Sequence, residues 1–127
     1  MFSCTGDYID TFWSKDEQVN SCLPSVKYYW GMRGETVYLH ESGMEIRVVA
    51  DSMCKGNACI RKELDSIEIE SWIMKESDRY CDVIAHEIGH GLGYQHQSTG
   101  LMRPSFPLGE EPLILPVSSD RQGDESL

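Results

Sequence analysis

The stretch His86-Glu87-Ile88-Gly89-His90-Gly91-Leu92-Gly93-Tyr94-Gln95-His96 decides how the rest of the chain is read. On a helix, residues four apart stand one above the other, so the imidazoles of His86 and His90 project from one face and can share a cation. Gly93, three residues after His90, takes a positive φ at little cost, which turns the chain and carries His96 to the same ion. Three neutral imidazoles with bonds of about 2.0–2.1 Å suit one zinc ion and leave a coordination position for water, as a catalytic site requires. Glu87 follows the first ligand and is expected to act as the catalytic general base, accepting a proton from that water. A bare pair of histidines around a glutamate arises by accident. The added glycine and third histidine at fixed offsets, in a helix with its own apolar face and glycine stop, separate this run from a chance match.

Working outward, Ser77 or Asp78 is expected to cap a helix running through Tyr80, Val83, Ile84 and Ile88, whose three-to-four spacing makes one face apolar. Upstream, Ile67-Glu68-Ile69-Glu70-Ser71-Trp72-Ile73 alternates strictly. It reads as a strand with the isoleucines inward and the glutamates outward, leading directly into the motif helix. Glu35 to His40 and Met44 to Ala50 read as two strands joined by a tight turn at Glu41-Ser42-Gly43. Ser14-Lys15-Asp16-Glu17 has the form of a capping box, so a helix is predicted to start near residue 15. Pro24 predicts that this helix is interrupted or split before it ends near residue 31.

The eleven residues from His86 to His96 match the signature HExxHxxGxxH of metzincin zinc peptidases, and Leu101-Met102-Arg103-Pro104 resembles the Met-turn that follows it. The resemblance is closest to the matrixins, whose turn reads Leu-Met-Tyr-Pro-x-Tyr. It implies that Met102 lies beneath the three histidines as an apolar floor without touching the metal, and that Pro104, Ser105 and Phe106 line the substrate pocket just beyond the cleaved bond. It also implies an α+β, zincin-like domain spanning 1–127: a small mixed twisted sheet with a helix, an active-site helix, the Met-turn and an abbreviated C-terminal part. Residues 1–93 form the upper part and 94–127 the lower, with Tyr8 to Trp13 as a possible first strand. There are departures. The loop from His96 to Met102 is shorter than in typical matrixins, Gln97 stands where they usually have Ser, and Arg103 replaces the tyrosine of the turn.

The chain has 127 residues, enough for one core, and a net charge of −10 from 21 acidic and 11 basic side chains. Such a field repels phosphate backbones, which argues against nucleic acid as a partner, and no apolar run is long enough to span a bilayer. Acidic residues between Glu63 and Asp82 follow no calcium-loop spacing and read as a solvated face, so calcium is not expected. Five cysteines cannot all pair within one chain, and Cys54 and Cys59, bracketing a turn-like Lys-Gly-Asn-Ala, read equally as a local disulfide or as two thiols. The expected substrate is a peptide or unfolded segment, laid in extended form on an edge strand near Ala58 to Lys62. A monomer is expected, in a secreted or extracytoplasmic setting that the sequence leaves open. The rival reading is a non-catalytic zinc module that binds a peptide or protein without cutting it; a closed fourth position would favour it, whereas Glu87 favours the enzyme.

Overall fold

The hydrophobic alternation of the mid-chain segments builds a sheet, and the spacing of Val19, Cys22, Val26 and Trp30 builds the helix that covers it. The computed structural model describes residues 11–50, 58–61, 64–104 and 111–117. Its elements, in chain order, are β1 (Thr11–Trp13), α1 (Glu17–Gly31), β2 (Tyr38–Leu39), β3 (Met44–Val49), β4 (Ala58–Arg61), β5 (Ser66–Glu70), α2 (Ser71–Glu76) and α3 (Tyr80–Gly91). The class is α+β, with a five-stranded mixed sheet in the order β2-β1-β3-β5-β4. β1 pairs in parallel with both β2 and β3, β3 pairs in parallel with β5, and β4 lies antiparallel to β5 at the edge.

The core gathers Phe12, Ile46, Ile67 and Ile69 from the sheet with Val19, Val26, Trp30, Ile84, Ala85 and Ile88 from the helices. Each large side chain so buried contributes about 1.5–3 kcal/mol. A disulfide between Cys22 and Cys81 ties α1 to the first turn of α3, so the motif helix is fixed to its neighbour covalently as well as by packing. Cys59 is also disulfide-bonded. The proposed Cys54–Cys59 link involves a residue outside the described ones.

Several expectations from sequence give way to tertiary effects. The expected two-stranded turn between Glu35 and Ala50 is not a hairpin: β1 inserts between β2 and β3 and pairs with both. The turn at His40 to Gly43 instead folds across the end of β1, where His40 N donates to Phe12 O and Trp13 Nε1 donates to Gly43 O. Pro24 interrupts nothing, and α1 is continuous. Pro24 and Asn20, four residues before it, are both exposed, so the carbonyl deprived of its helical donor lies on the side of α1 that water reaches, while the buried face carries the helix. The cap of α1 is Asp16, whose Oδ1 accepts from Val19 N at 3.0 Å, rather than Ser14. Ser14 is drawn off to donate to the carbonyl of Ile46 in β3.

The alternating strand stops at Glu70, and Ser71–Glu76 turns into a short helix before the motif helix begins. Ile73 and Met74 are consecutive and both buried, which a one-sided strand cannot achieve and a helix can. Glu68 does not face outward: it is buried in the interior strand β5, and Arg61 of the edge strand reaches it at 3.8 Å.

Candidate metal centre

The motif helix α3 starts from Arg79, not from Ser77 or Asp78, and has no side-chain cap. Its first turn is fixed by Asp82, which is fully buried. Asp82 Oδ2 accepts from Arg79 Nε at 2.8 Å and lies 2.8 Å from Arg79 Nη2. Leu113 N donates to the same oxygen at 3.0 Å, and Ile114 N donates to Oδ1 at 2.8 Å. A carboxylate at a helix N-terminus complements the macrodipole. This one also holds a buried cation and pins the segment around Ile114 against the helix. The solvated face expected between Glu63 and Asp82 therefore does not include Asp82, because an acid in a first helical turn gives no local sign of burial.

From this anchored start α3 delivers His86 and His90 one turn apart, and Gly93, with φ of +107°, bends the chain back. The ligand atoms of His86, His90 and His96 all lie within 4.8 Å of one another. The burial is graded: His86 is buried, His90 half-buried and His96 exposed. His86 Nδ1 lies 2.8 Å from the carbonyl of Leu101, and His90 Nδ1 lies 2.8 Å from the carbonyl of Tyr94. A carbonyl only accepts, so in both rings Nδ1 carries a proton, and a neutral ring then presents the lone pair of Nε2. Those two Nε2 atoms face each other at 3.2 Å. Between two neutral rings, the facing lone pairs are satisfied by a cation. Two nitrogens in a tetrahedral zinc site stand about 3.3 Å apart, so the observed spacing fits such an ion. Imidazole nitrogens alone also suit copper, nickel and iron, so the donor set fixes the class of metal rather than its identity.

Burial, foremost, holds His86 below the ordinary imidazole pKa; the hydrogen bond to Leu101 opposes this and the nearby His90 and His96 add to it. The ring is therefore kept in the neutral form that a metal requires. Glu87, next along the helix and only 7 % exposed, has its carboxyl pushed up to about 7 by burial. A proton acceptor in that range is matched to work near neutral pH, and a divalent cation nearby pulls the value back towards ionisation.

Met102 is 3 % exposed and packs directly against α3. A Cβ placed on Gly89 would meet Met102 Sδ at 2.7 Å and Trp30 Cζ2 at 2.6 Å. The helix thus rests on a thioether and an indole where its backbone is bare, one residue before His90. Leu101 is equally buried and supplies the carbonyl that orients His86, so the turn after the third histidine both supports the helix and aims the first ring. Pro104 is exposed, and Ser105 and Phe106 lie outside the described residues.

Trp30, Tyr94 and Glu35 escaped the sequence reading as parts of this centre. Trp30 Nε1 donates to the Ala85 carbonyl at 3.1 Å, and its ring lies 4.8 Å from that of Tyr94. The Tyr94 hydroxyl donates to Glu35 Oε2 at 2.7 Å, and this bond, foremost, raises the tyrosine pKa. Cys22 and Cys81 did leave a signal: each falls in register with the apolar stripe of its helix.

No protein-family model and no curated protein matches this chain.

Proposed function

We propose that this chain is a zinc-dependent endopeptidase of the metzincin type, similar to the matrixins, with His86, His90 and His96 as metal ligands and Glu87 as general base. The observation that carries the reading is the pair of Nε2 atoms facing each other at 3.2 Å, each on a ring whose Nδ1 is committed to a backbone carbonyl. Between neutral rings, facing lone pairs call for a cation, which supports a metal-binding role over a purely structural one.

When bound, zinc supplies Lewis acidity, polarising the scissile carbonyl and easing the deprotonation of water. The protein's own residues do the rest. Glu87, its carboxyl tuned by burial, takes the proton from the attacking water and passes it to the departing amine. The antiparallel edge strand β4 pairs only with β5 among the described residues, so its outer side offers backbone groups to an extended peptide. Such main-chain pairing is tolerant of sequence, which suits a peptide or unfolded-protein substrate. Met102 supports the ligand helix from below, as the resemblance implies. The Cys22–Cys81 disulfide supports an oxidising, extracytoplasmic setting.

The test is Glu87→Ala with zinc content measured beside cleavage of a mixed peptide library. Metal should remain at one ion per chain while turnover falls about 10²–10⁴-fold. If the unmodified, zinc-loaded protein cuts no peptide in the library, the reading falls and a zinc-holding binding module takes its place.

A further inference from the structure

The three histidines are not held alike. His86 and His90 each have Nδ1 tied to a backbone carbonyl, at Leu101 and Tyr94 respectively. The His96 ring meets its two partners at centroid distances of 5.3 and 4.9 Å, is exposed, and makes no hydrogen bond among the described residues. Its place is therefore set by the backbone that delivers it, the bend from Gly93 to His96.

Tyr94 ties down the near side of that bend, and beyond His96 the Gln97 N–H donates to the Met102 carbonyl at 2.9 Å. The Tyr94 N–H donates to the Gly89 carbonyl at 2.9 Å and its own carbonyl accepts from His90 Nδ1, so its backbone is already joined to the ligand helix at both ends. Its side chain then reaches away from α3: the ring lies against Trp30, and the hydroxyl donates to Glu35. Glu35 is itself immobilised, because its N–H donates at 3.0 Å to the carbonyl of Trp30 at the end of α1. The bend is thus suspended between two helices by one charge-assisted hydrogen bond, a strong type of neutral-donor contact.

We infer that Tyr94 and Glu35 form a positioning pair that holds the His96 arm closed on the metal. This rests on the metal-site reading above. Outer partners that orient ligands influence metal affinity by about 10–100-fold, so the effect is measurable although neither side chain touches the ion.

The experiment uses the full chain, with zinc affinity measured by competition against a chromophoric chelator and coordination measured by the visible absorption of the cobalt-loaded protein. Tyr94→Phe keeps the ring on Trp30 and removes only the donor. It should weaken zinc binding about 10-fold and shift the cobalt spectrum towards that of His96→Ala. Glu35→Ala should do the same, while Glu35→Gln, which retains an acceptor oxygen, should restore most of the affinity. A fold-maintenance role would lower the thermal midpoint without moving the cobalt spectrum, and that result overturns the inference. So does an affinity for Tyr94→Phe within two-fold of the parent when His96→Ala binds weakly; in that case the metal site stands and the positioning pair does not. If the parent protein binds neither zinc nor cobalt, the metal-site reading itself fails and the inference falls with it.

Discussion

Gly89→Ala tests the way the ligand helix sits on its floor. In an unhindered helix interior this substitution stabilises by about 0.5–1 kcal/mol, because alanine loses less backbone freedom on folding. Here the new methyl would lie 2.6 Å from Trp30 Cζ2 and 2.7 Å from Met102 Sδ, both far inside contact distance. Met102 has a flexible thioether but is 3 % exposed, and Trp30, 2 % exposed, is held by its hydrogen bond to the Ala85 carbonyl. Neither can swing into solvent, so α3 must lift. Overpacking of this kind costs about 1–3 kcal/mol. Set against the gain in propensity, the net loss is about 1–2 kcal/mol. Urea unfolding of the metal-free protein should show a midpoint lowered by about 0.5–1 M, for a slope of about 2 kcal/mol/M, with the slope unchanged. Gly31, where an added Cβ meets nothing within 4 Å, is the control, and Gly31→Ala should be neutral or stabilising. A Gly89→Ala variant as stable as the parent or more so would refute the packing of Met102 and Trp30 under the helix.

Asp82→Ala removes the buried carboxylate that pairs with Arg79 and that accepts from two backbone N–H groups, so unfolding should show a loss of about 3–5 kcal/mol. The segment around Ile114 should become cleavable by a probe protease, and a loss below about 1 kcal/mol would show that the ion pair does not anchor α3. The raised pKa of Glu87 also has a sign that can be checked. Its folded value of about 7 lies above the ordinary 4.5, so the folded state binds this proton more tightly. The associated stability is present below pH 4.5 and lost as pH rises through 7. In metal-free protein, Glu87→Gln should therefore gain on the parent by about 3 kcal/mol between pH 4 and pH 8, read from denaturant midpoints at each pH. A constant difference would mean that the carboxyl is solvated.

The convergence of the three histidines was legible because helical periodicity and one glycine are local facts. His86 and His90 are aligned by the pitch of a single helix, and the bend at Gly93 needs a conformation that glycine adopts readily. The α+β class came with the family resemblance, and Ala58–Arg61, within the stretch Ala58 to Lys62 expected to form an edge, does lie at the side of the sheet. What escaped depends on residues far apart in sequence. Nothing near Tyr38 or Met44 announces that β1 will insert between them. Nothing near Asp82 announces two backbone donors arriving from more than thirty residues downstream. Ser14 has the right chemistry for a cap, but the helix begins two residues later than the sequence suggests, so its oxygen accepts from Asp16 N–H while its hydroxyl donates to a carbonyl in β3.

The sequence by itself determined which atoms can bind a metal and which carboxyl follows the first of them along the chain, since both follow from spacing along one helix and one turn. Only the tertiary structure decided how those atoms are held. The Leu101 and Tyr94 carbonyls choose the tautomers of two rings, burial tunes Glu87, and Trp30 with Met102 forms the surface on which the helix rests. The physical reason is that donor identity is a property of a residue, whereas protonation, orientation and exposure are properties of what other parts of the chain bring against it.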